Sequence, residues 1–482
     1  MEKRIRNNYF YNLIYEIFML LVPFMITPYI ARTLEENASG AYSFANSVVT
    51  YFVLLASLGF PKLAQRIVAY NQDNSEQQKQ AFWNIFFAKL ISTGFALVCY
   101  GLLCFFYGHS IGNAKLLCVL SINIVAVLFD ITYLFQGNEH FKVIVIRNII
   151  VKSIGFGCIF LFVKNEYDLL KYALIQSLTI FFSSVSLWAR IPSAFFSVKL
   201  KDLSPLKYFP SAITLFIPTI ATTIYTVFDK TLIGIITKSE IENGNYEYSE
   251  RIIRMALTVI TALGAVMIPR NSYYFANEEE EKLTNSILYS FRYAMFIGVP
   301  LAVGMGSVAD LFVPLYLGNG YSKAVLLTKI LSPLILIIGI SNVLGVQWLI
   351  PTKQDKKFTF TIFTGATINL ILNTFLIELY GCYGAGIASV IGELVITSMM
   401  LFYARDIIRI KELLTMGWKY FVASIAIHFL CLWLMNMVRN PFIALVTCVI
   451  LCAGVYFCLL LLLKDEFFIQ FVSSFSSNKK RE

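Results

Sequence analysis

The sequence predicts an all-α integral membrane protein with fourteen transmembrane helices. Three observations carry this prediction. Of 482 residues, 58% are hydrophobic and only 14% are charged, and the mean hydropathy is +0.70; soluble domains carry about 25% charge. The apolar residues fall in blocks of about 20, the length a helix needs to cross about 30 Å of hydrocarbon. Basic residues also fall mostly on one side of the topology those blocks define.

In order, the expected spans are 9–31, 40–61, 82–106, 116–135, 142–163, 169–189, 208–235, 248–269, 284–307, 325–350, 358–379, 383–404, 416–437 and 441–463. The span at 248–269 opens on charged residues. An amphipathic stretch, DLFVPLYLGNGYSK (310–323), is expected to lie along a membrane surface between two spans. The alternating ten-residue segments of an outer-membrane barrel are absent. With the N-terminus in the cytoplasm, most of the 39 Lys and Arg fall in cytoplasmic segments and few outside. One missed span would scramble that bias, so both ends are expected in the cytoplasm. The first apolar block runs into Pro28-Tyr29 and Arg32 without a small-residue cleavage site, which reads as a retained helix. The net charge of +10 therefore belongs to membrane topology and not to a nucleic-acid partner.

Chemistry-bearing motifs are scarce. The nine cysteines sit mostly inside apolar blocks and lack the clustered spacing of a disulfide framework or metal site. His109, His140 and His428 are far apart. No nucleophile elbow, phosphate-binding glycine loop or HExxH is present, so neither an enzyme nor a resident cofactor is expected. The acidic run Glu278 to Glu281 reads as a solvated loop.

A faint internal repeat organises the spans. LVPFMITPY in span one matches FIPTIATTI in span seven, pairing Pro23 with Pro218 and Thr27 with Thr222. YSFANSV and AYNQDNSEQQ in span two find counterparts in YSERIIR and FANEEEE near span eight. Two six-helix lobes (1–207 and 208–412) plus two C-terminal helices and a tail (413–482) is the economical reading, and parallel repeats are common in transporters.

Ionisable groups inside spans are costly, about 2.5–3.5 kcal/mol each at a helix centre. Lys152 lies about 15 Å into span five, near the midplane. It either lines a hydrophilic cavity or forms a structural ion pair. Lys89 in span three and Arg292 in span nine lie about 10–14 Å from the cytoplasmic side and either face a cavity or snorkel inward. Arg32, Lys230, Arg251 and Arg254 collect near the outer ends of spans one, seven and eight. Glu247–Arg251 and Glu250–Arg254 are spaced i,i+4 in the favourable order, so a salt-bridged helix end is the competing reading. Asp229 stands beside Lys230, and Glu393 lies near the middle of span twelve. Pro23, Pro28 and Pro218 are expected to kink their helices. A row of cations in a low-dielectric cleft suits an anion, with pyrophosphate the natural candidate.

The segment LFDITYLFQGNEHFKVIVIRNIIVKS, from Leu128, closely resembles the fourth-to-fifth helix segment of Wzx-type polysaccharide flippases. It has their Asp followed by aromatics, their Phe-Gln-Gly turn, and then Phe-Lys and Arg-Asn. NLIYEIFMLLVPFMITPYIARTL, GAYSFANSVVTYFVLLASLGF, TVFDKTLIG (226–234) and YGAGIASVIGE (383–393) extend the likeness along both halves in the expected order. The chain departs from the pattern at Glu35-Glu36, where Leu-Gly is frequent, and at Tyr133, where Trp is common. The resemblance implies a member of the MOP superfamily, related to MATE-type exporters and lipid II flippases. Its lobes would enclose a cavity lined by spans one, two, seven and eight. The implied cargo is an undecaprenyl-pyrophosphate-linked oligosaccharide for capsule, exopolysaccharide or O-antigen, moved across the bacterial plasma membrane by alternating access. A polymerase and chain-length regulators would be partners, and the last two helices would suit a groove for the lipid tail.

Asp130, Glu393 and Glu16 are candidate sites for a coupling Na+ or H+, and Asp130 is alternatively expected to pair with Arg147 or Lys142. Three rival readings remain. A lipid II-type flippase shares the architecture. A MATE-type drug/cation antiporter shares it too, but prefers an acidic cavity. A polysaccharide polymerase would show a large catalytic outer loop, whereas the outer loops here are short.

Overall fold

A computed structural model of the chain describes residues 2–111, 114–198, 203–405, 410–470 and 473. Side chains are described in all of these except 2–17, 19, 20, 107–111, 217, 218, 221, 222, 224, 225, 265 and 410–414. Glu16, Pro218 and Thr222 therefore lie outside the described side chains. Among the described residues every regular element is helical.

The first half comprises α1 (Glu2–Ser57), α2 (Phe60–Tyr70), α3 (Ser75–Ile111), α4 (Ala114–Phe129), α5 (Thr132–Gly137), α6 (Phe141–Phe162), α7 (Leu169–Val185) and α8 (Phe209–Thr237). The second half comprises α9 (Glu240–Ala276), α10 (Glu280–Leu317), α11 (Ser322–Leu331), α12 (Leu334–Leu344), α13 (Asp355–Tyr380), α14 (Cys382–Tyr403), α15 (Ile410–Met437) and α16 (Pro441–Leu462). Short 3-10 turns link α7 to α8, and a π turn, Gly345–Leu349, extends α12.

Twelve stretches among the described residues are long and apolar enough to cross a bilayer, against fourteen expected. Two places make the difference. Expected spans one and two fall in a single stretch, Leu21–Tyr70, in which the expected loop reduces to one non-helical residue, Glu35 (φ 59°, ψ 179°). Expected span seven is α8, a 29-residue helix whose central side chains are partly outside the described set. The other predicted spans meet their helices within a few residues at most ends.

The expected surface helix at 310–323 is corrected. Residues 310–317 continue α10 without a break, and only 318–321 turn. The amphipathic face there turns inward, burying Val313 and Leu317, while Lys329 of α11 grips both carboxylate oxygens of Asp310 at 2.8 and 2.7 Å.

Several turns between helices run through one charged residue with left-handed backbone. Glu139 (φ 56°), Lys238 (φ 52°), Glu278 (φ 58°), Lys353 (φ 58°) and Lys464 (φ 49°) each stand at such a turn. Between α1 and α2 the turn uses Leu58 (φ 41°) and Gly59 (φ 75°). A Cβ on Gly59 would sit 2.5 Å from the Ala212 carbonyl oxygen of α8, so this close approach requires glycine.

The chain forms two compact units, Met1–Gly244 and Asn245–Glu482. The first holds α8, which the expected division after residue 207 assigns to the second lobe. In this unit Phe60, Val68, Phe82, Tyr133 and Leu134 form one buried cluster. Val49, Ala56, Tyr100, Leu117 and Leu120 form another, and Ile30, Leu34, Ile159 and Tyr172 a third. In the second unit Phe296 gathers Tyr420, Tyr456, Phe467 and Phe468 around it. All nine cysteines are free thiols, and Cys431 and Cys448 pack α15 against α16.

Candidate functional site

The segment with the strongest family likeness folds as a broken helix. α4 stops at Phe129 and α5 starts at Thr132, which frees backbone carbonyls inside a predicted span. Such groups need partners where no water reaches them. Trp188 Nε1 donates to the Phe129 oxygen at 2.9 Å and Lys89 Nζ to the Asp130 oxygen at 2.6 Å. The Asp130 carboxylate accepts the Thr132 N–H at 2.9 Å and so begins α5. Arg147 donates to the Ser183 carbonyl and, at 3.3 Å, to the Thr132 hydroxyl. The expected Asp130–Arg147 pairing thus becomes a common hold on Thr132, one group on its N–H and the other on its hydroxyl.

Lys89 was expected at a cavity or at the inner surface. It is 1% exposed, with its ammonium at the C-terminal end of α4, where the helix dipole favours a cation, and 5.6 Å from the Tyr133 ring centre. The Phe-Gln-Gly turn has an equally local cause. A Cβ on Gly137 would lie 2.6 Å from Val68 Cγ1 and 2.9 Å from the Gln65 oxygen. Gln72 donates to the Gly137 carbonyl at 2.5 Å, and Gln78 to the Asn138 side chain at 2.9 Å, which docks the turn on α2 and α3.

The remaining first-unit cations are placed differently. Lys152 is the twelfth residue of the 22-residue α6, half-buried on a helix whose Ile150 and Ile154 are exposed. Arg32 is exposed, three residues before the break at Glu35. Lys230 is half-buried in α8 between the buried Asp229 and Thr231, and its carbonyl accepts from Asn243 at 2.7 Å. Beside it, the motif TVFDKTLIG joins α8 to α1. Tyr51 hydroxyl donates to Thr231 (2.8 Å), Thr231 to Ser47 (2.9 Å), and Ser47 to the Phe44 carbonyl (2.7 Å). Gly234 leaves room for the Phe44 ring.

In the second unit, Arg251 meets Glu247 and Arg254 meets Glu250, each at 2.5 Å, as the i,i+4 spacing suggests. Arg251 also lies 5.3 Å from the Tyr248 ring centre. Arg292 is half-buried in α10. Glu393 is buried in α14, one turn past Ser389, which accepts a hydrogen bond from Tyr246 at 3.1 Å. Sequence reasoning missed a buried pair that packs against its chain neighbour Gly392. Asn373 donates to Asn369 at 3.0 Å on α13, and Asn369 Nδ2 has no partner among the described residues. Gly392, next to Glu393, packs against Asn369. Two asparagines spaced i,i+4 in an apolar span were the available signal. No group of three His, Cys, Asp or Glu suited to a metal occurs among the described residues.

The family model described as polysaccharide biosynthesis protein matches residues 5–275, more than half of the chain. The chain belongs to that family. Over 405 residues this family member is 23% identical to an Escherichia coli (strain K12) protein named as an O-antigen transporter, covering 83% of this chain and 97% of that one. Its fold matches the lipid II flippase MurJ in an inward closed conformation, with a TM-score of 0.73, 16% identity and coverage of 95% of this chain and 99% of that one. An inward-facing multidrug resistance MATE transporter of the MOP superfamily matches with a TM-score of 0.58, 15% identity and coverage of 81% and 98%. The polysaccharide-flippase likeness read from the motifs agrees with this family, and the fold agrees with the expected two-lobed MurJ- and MATE-like architecture. With twelve candidate spans among the described residues, the protein is a multi-pass membrane protein, and the Escherichia coli relative is named as a transporter.

Proposed function

We propose that this protein flips an undecaprenyl-pyrophosphate-linked oligosaccharide from the inner to the outer leaflet of a bacterial plasma membrane, by alternating access and with both termini in the cytoplasm. One observation carries the reading: a lysine, Lys152, halfway along a span that is otherwise largely apolar and lipid-compatible. Moving a sugar and a pyrophosphate through hydrocarbon costs on the order of tens of kcal/mol. Cations at successive depths lower that barrier while the isoprenoid tail stays in lipid. Lys152, Arg32, Lys230, Arg251, Arg254 and Arg292 are the cations assigned to the pyrophosphate. Lys89 supports them indirectly, by holding the α4 break. A Na+ or H+ gradient drives the cycle through Glu393, beside Asn369 and Ser389, with Asp130 and Glu16 as the other acidic candidates.

Depletion of the protein tests the proposal. Lipid-linked repeat units should collect on the inner leaflet; collection on the outer leaflet would point to a polymerase instead. Lys152→Ala should stop polymer assembly while the protein stays at normal level in the membrane, and Lys152→Arg should keep part of it. Normal polymer in Lys152→Ala cells would remove Lys152 from the mechanism. Glu393→Gln should abolish the dependence of flipping on an imposed ion gradient in vesicles.

A further inference from the structure

Two arginines stand apart from every ion pair described above. Arg66 on α2 donates its Nε to the Tyr70 hydroxyl at 3.1 Å, and Arg270 on α9 donates its Nε to the Tyr274 hydroxyl at 2.7 Å. Each guanidinium carbon is 5.5 Å from that ring's centre, at its hydroxyl end. Both arginines are exposed. Arg66 lies five residues past expected span two and Arg270 directly after expected span eight, on the side that the charge bias assigns to the cytoplasm. The registers differ, because Arg66 follows Pro61 by five residues and Arg270 follows Pro269 directly. Each unit therefore carries the same construction at a shifted position.

Arg251, Arg254 and Lys282 all find a glutamate within one turn. Arg66 and Arg270 make no ion pair among the described residues, although four consecutive glutamates begin eight residues after Arg270. Glu279 of that run pairs with Lys282. On α2 the exposed face reads Pro61, Lys62, Gln65, Arg66, Ala69 and Tyr70, with no acid on it. With Nε committed to the phenol oxygen, the terminal nitrogens are left as a fork held by that bond. That geometry matches the oxygens of a phosphate, and pre-orientation lowers the ordering cost of binding.

We infer that Arg66–Tyr70 and Arg270–Tyr274 are two phosphate-docking points that receive the pyrophosphate headgroup of the lipid-borne cargo at the inner leaflet. The inference rests on the flippase reading, and it adds an entry site distinct from the cations within the spans. The same chemistry would take the phosphate of an ordinary anionic lipid, so the test separates the two sources.

Farnesyl pyrophosphate is the probe, titrated calorimetrically into the full-length protein in phosphatidylcholine nanodiscs. The double variant Arg66→Gln/Arg270→Gln should bind it about tenfold more weakly than the parent, with an unchanged melting midpoint. Tyr70→Phe/Tyr274→Phe, which keeps the rings but frees Nε, should lose about threefold. Parent-like affinity in both variants would overturn the inference. So would unchanged probe affinity combined with loss of co-purifying phosphatidylglycerol in native mass spectra, which would assign the pairs to bulk lipid. A parent protein that binds no probe also overturns it. The flippase reading is judged separately, by the leaflet on which repeat units collect after depletion.

Discussion

At the scale of single residues, depth was readable but commitment was not. The place of Lys152 along α6 follows from counting residues, and so does the i,i+4 pairing of Arg251 and Arg254. The partner of Lys89 did not follow, because it depends on which carbonyl the break after Phe129 sets free. Lys89 and Arg254 should therefore respond oppositely to loss of charge. Lys89→Met leaves the Asp130 oxygen unpaired in a buried setting and should cost about 1–3 kcal/mol, read as a lower melting midpoint in detergent. Arg254 is 53% exposed in its pair with Glu250, so Arg254→Gln should cost at most about 1 kcal/mol while impairing polymer assembly. A stable, inactive Arg254→Gln and a destabilised Lys89→Met would separate transport from architecture.

At the scale of elements, apolar blocks of 20 residues located most helices, because bilayer thickness constrains length directly. They said less about how helices join. The loop expected between spans one and two shrinks to Glu35, and the expected surface helix at 310–323 is the end of α10. In the second case α10 runs on through Asp310, whose carboxylate Lys329 of α11 holds. The FQG turn is the opposite case, a short motif with a steric meaning. Gly137→Leu should drive a side chain into Val68 and the Gln65 backbone and cost about 1–3 kcal/mol. A melting curve matching the parent would mean that α5 can move off α2 freely.

At the scale of the whole chain, the division of basic residues is a statement about which end faces which compartment, and it can be measured. In a version lacking the nine native cysteines, Lys238→Cys should react with a membrane-impermeant maleimide added outside intact cells. Lys353→Cys should react only after the membrane is opened. The reverse pattern would invert the topology. The candidate site was only partly legible at this scale. Its cations are visible one by one, but the buried Asn369–Asn373 pair becomes meaningful only once α13 is packed on α14 beside Glu393. The charged left-handed residues that close so many helices have a practical consequence for laboratory handling. A side chain with positive φ carries a steric penalty that glycine lacks, of about 1–2 kcal/mol before glycine's greater freedom in the unfolded chain is set against it. Glycine at Glu139, Lys238, Lys353 and Lys464 should each raise stability modestly without touching any proposed cargo contact. Combined, they offer a sturdier protein for purification and reconstitution, with the cargo pathway unaltered.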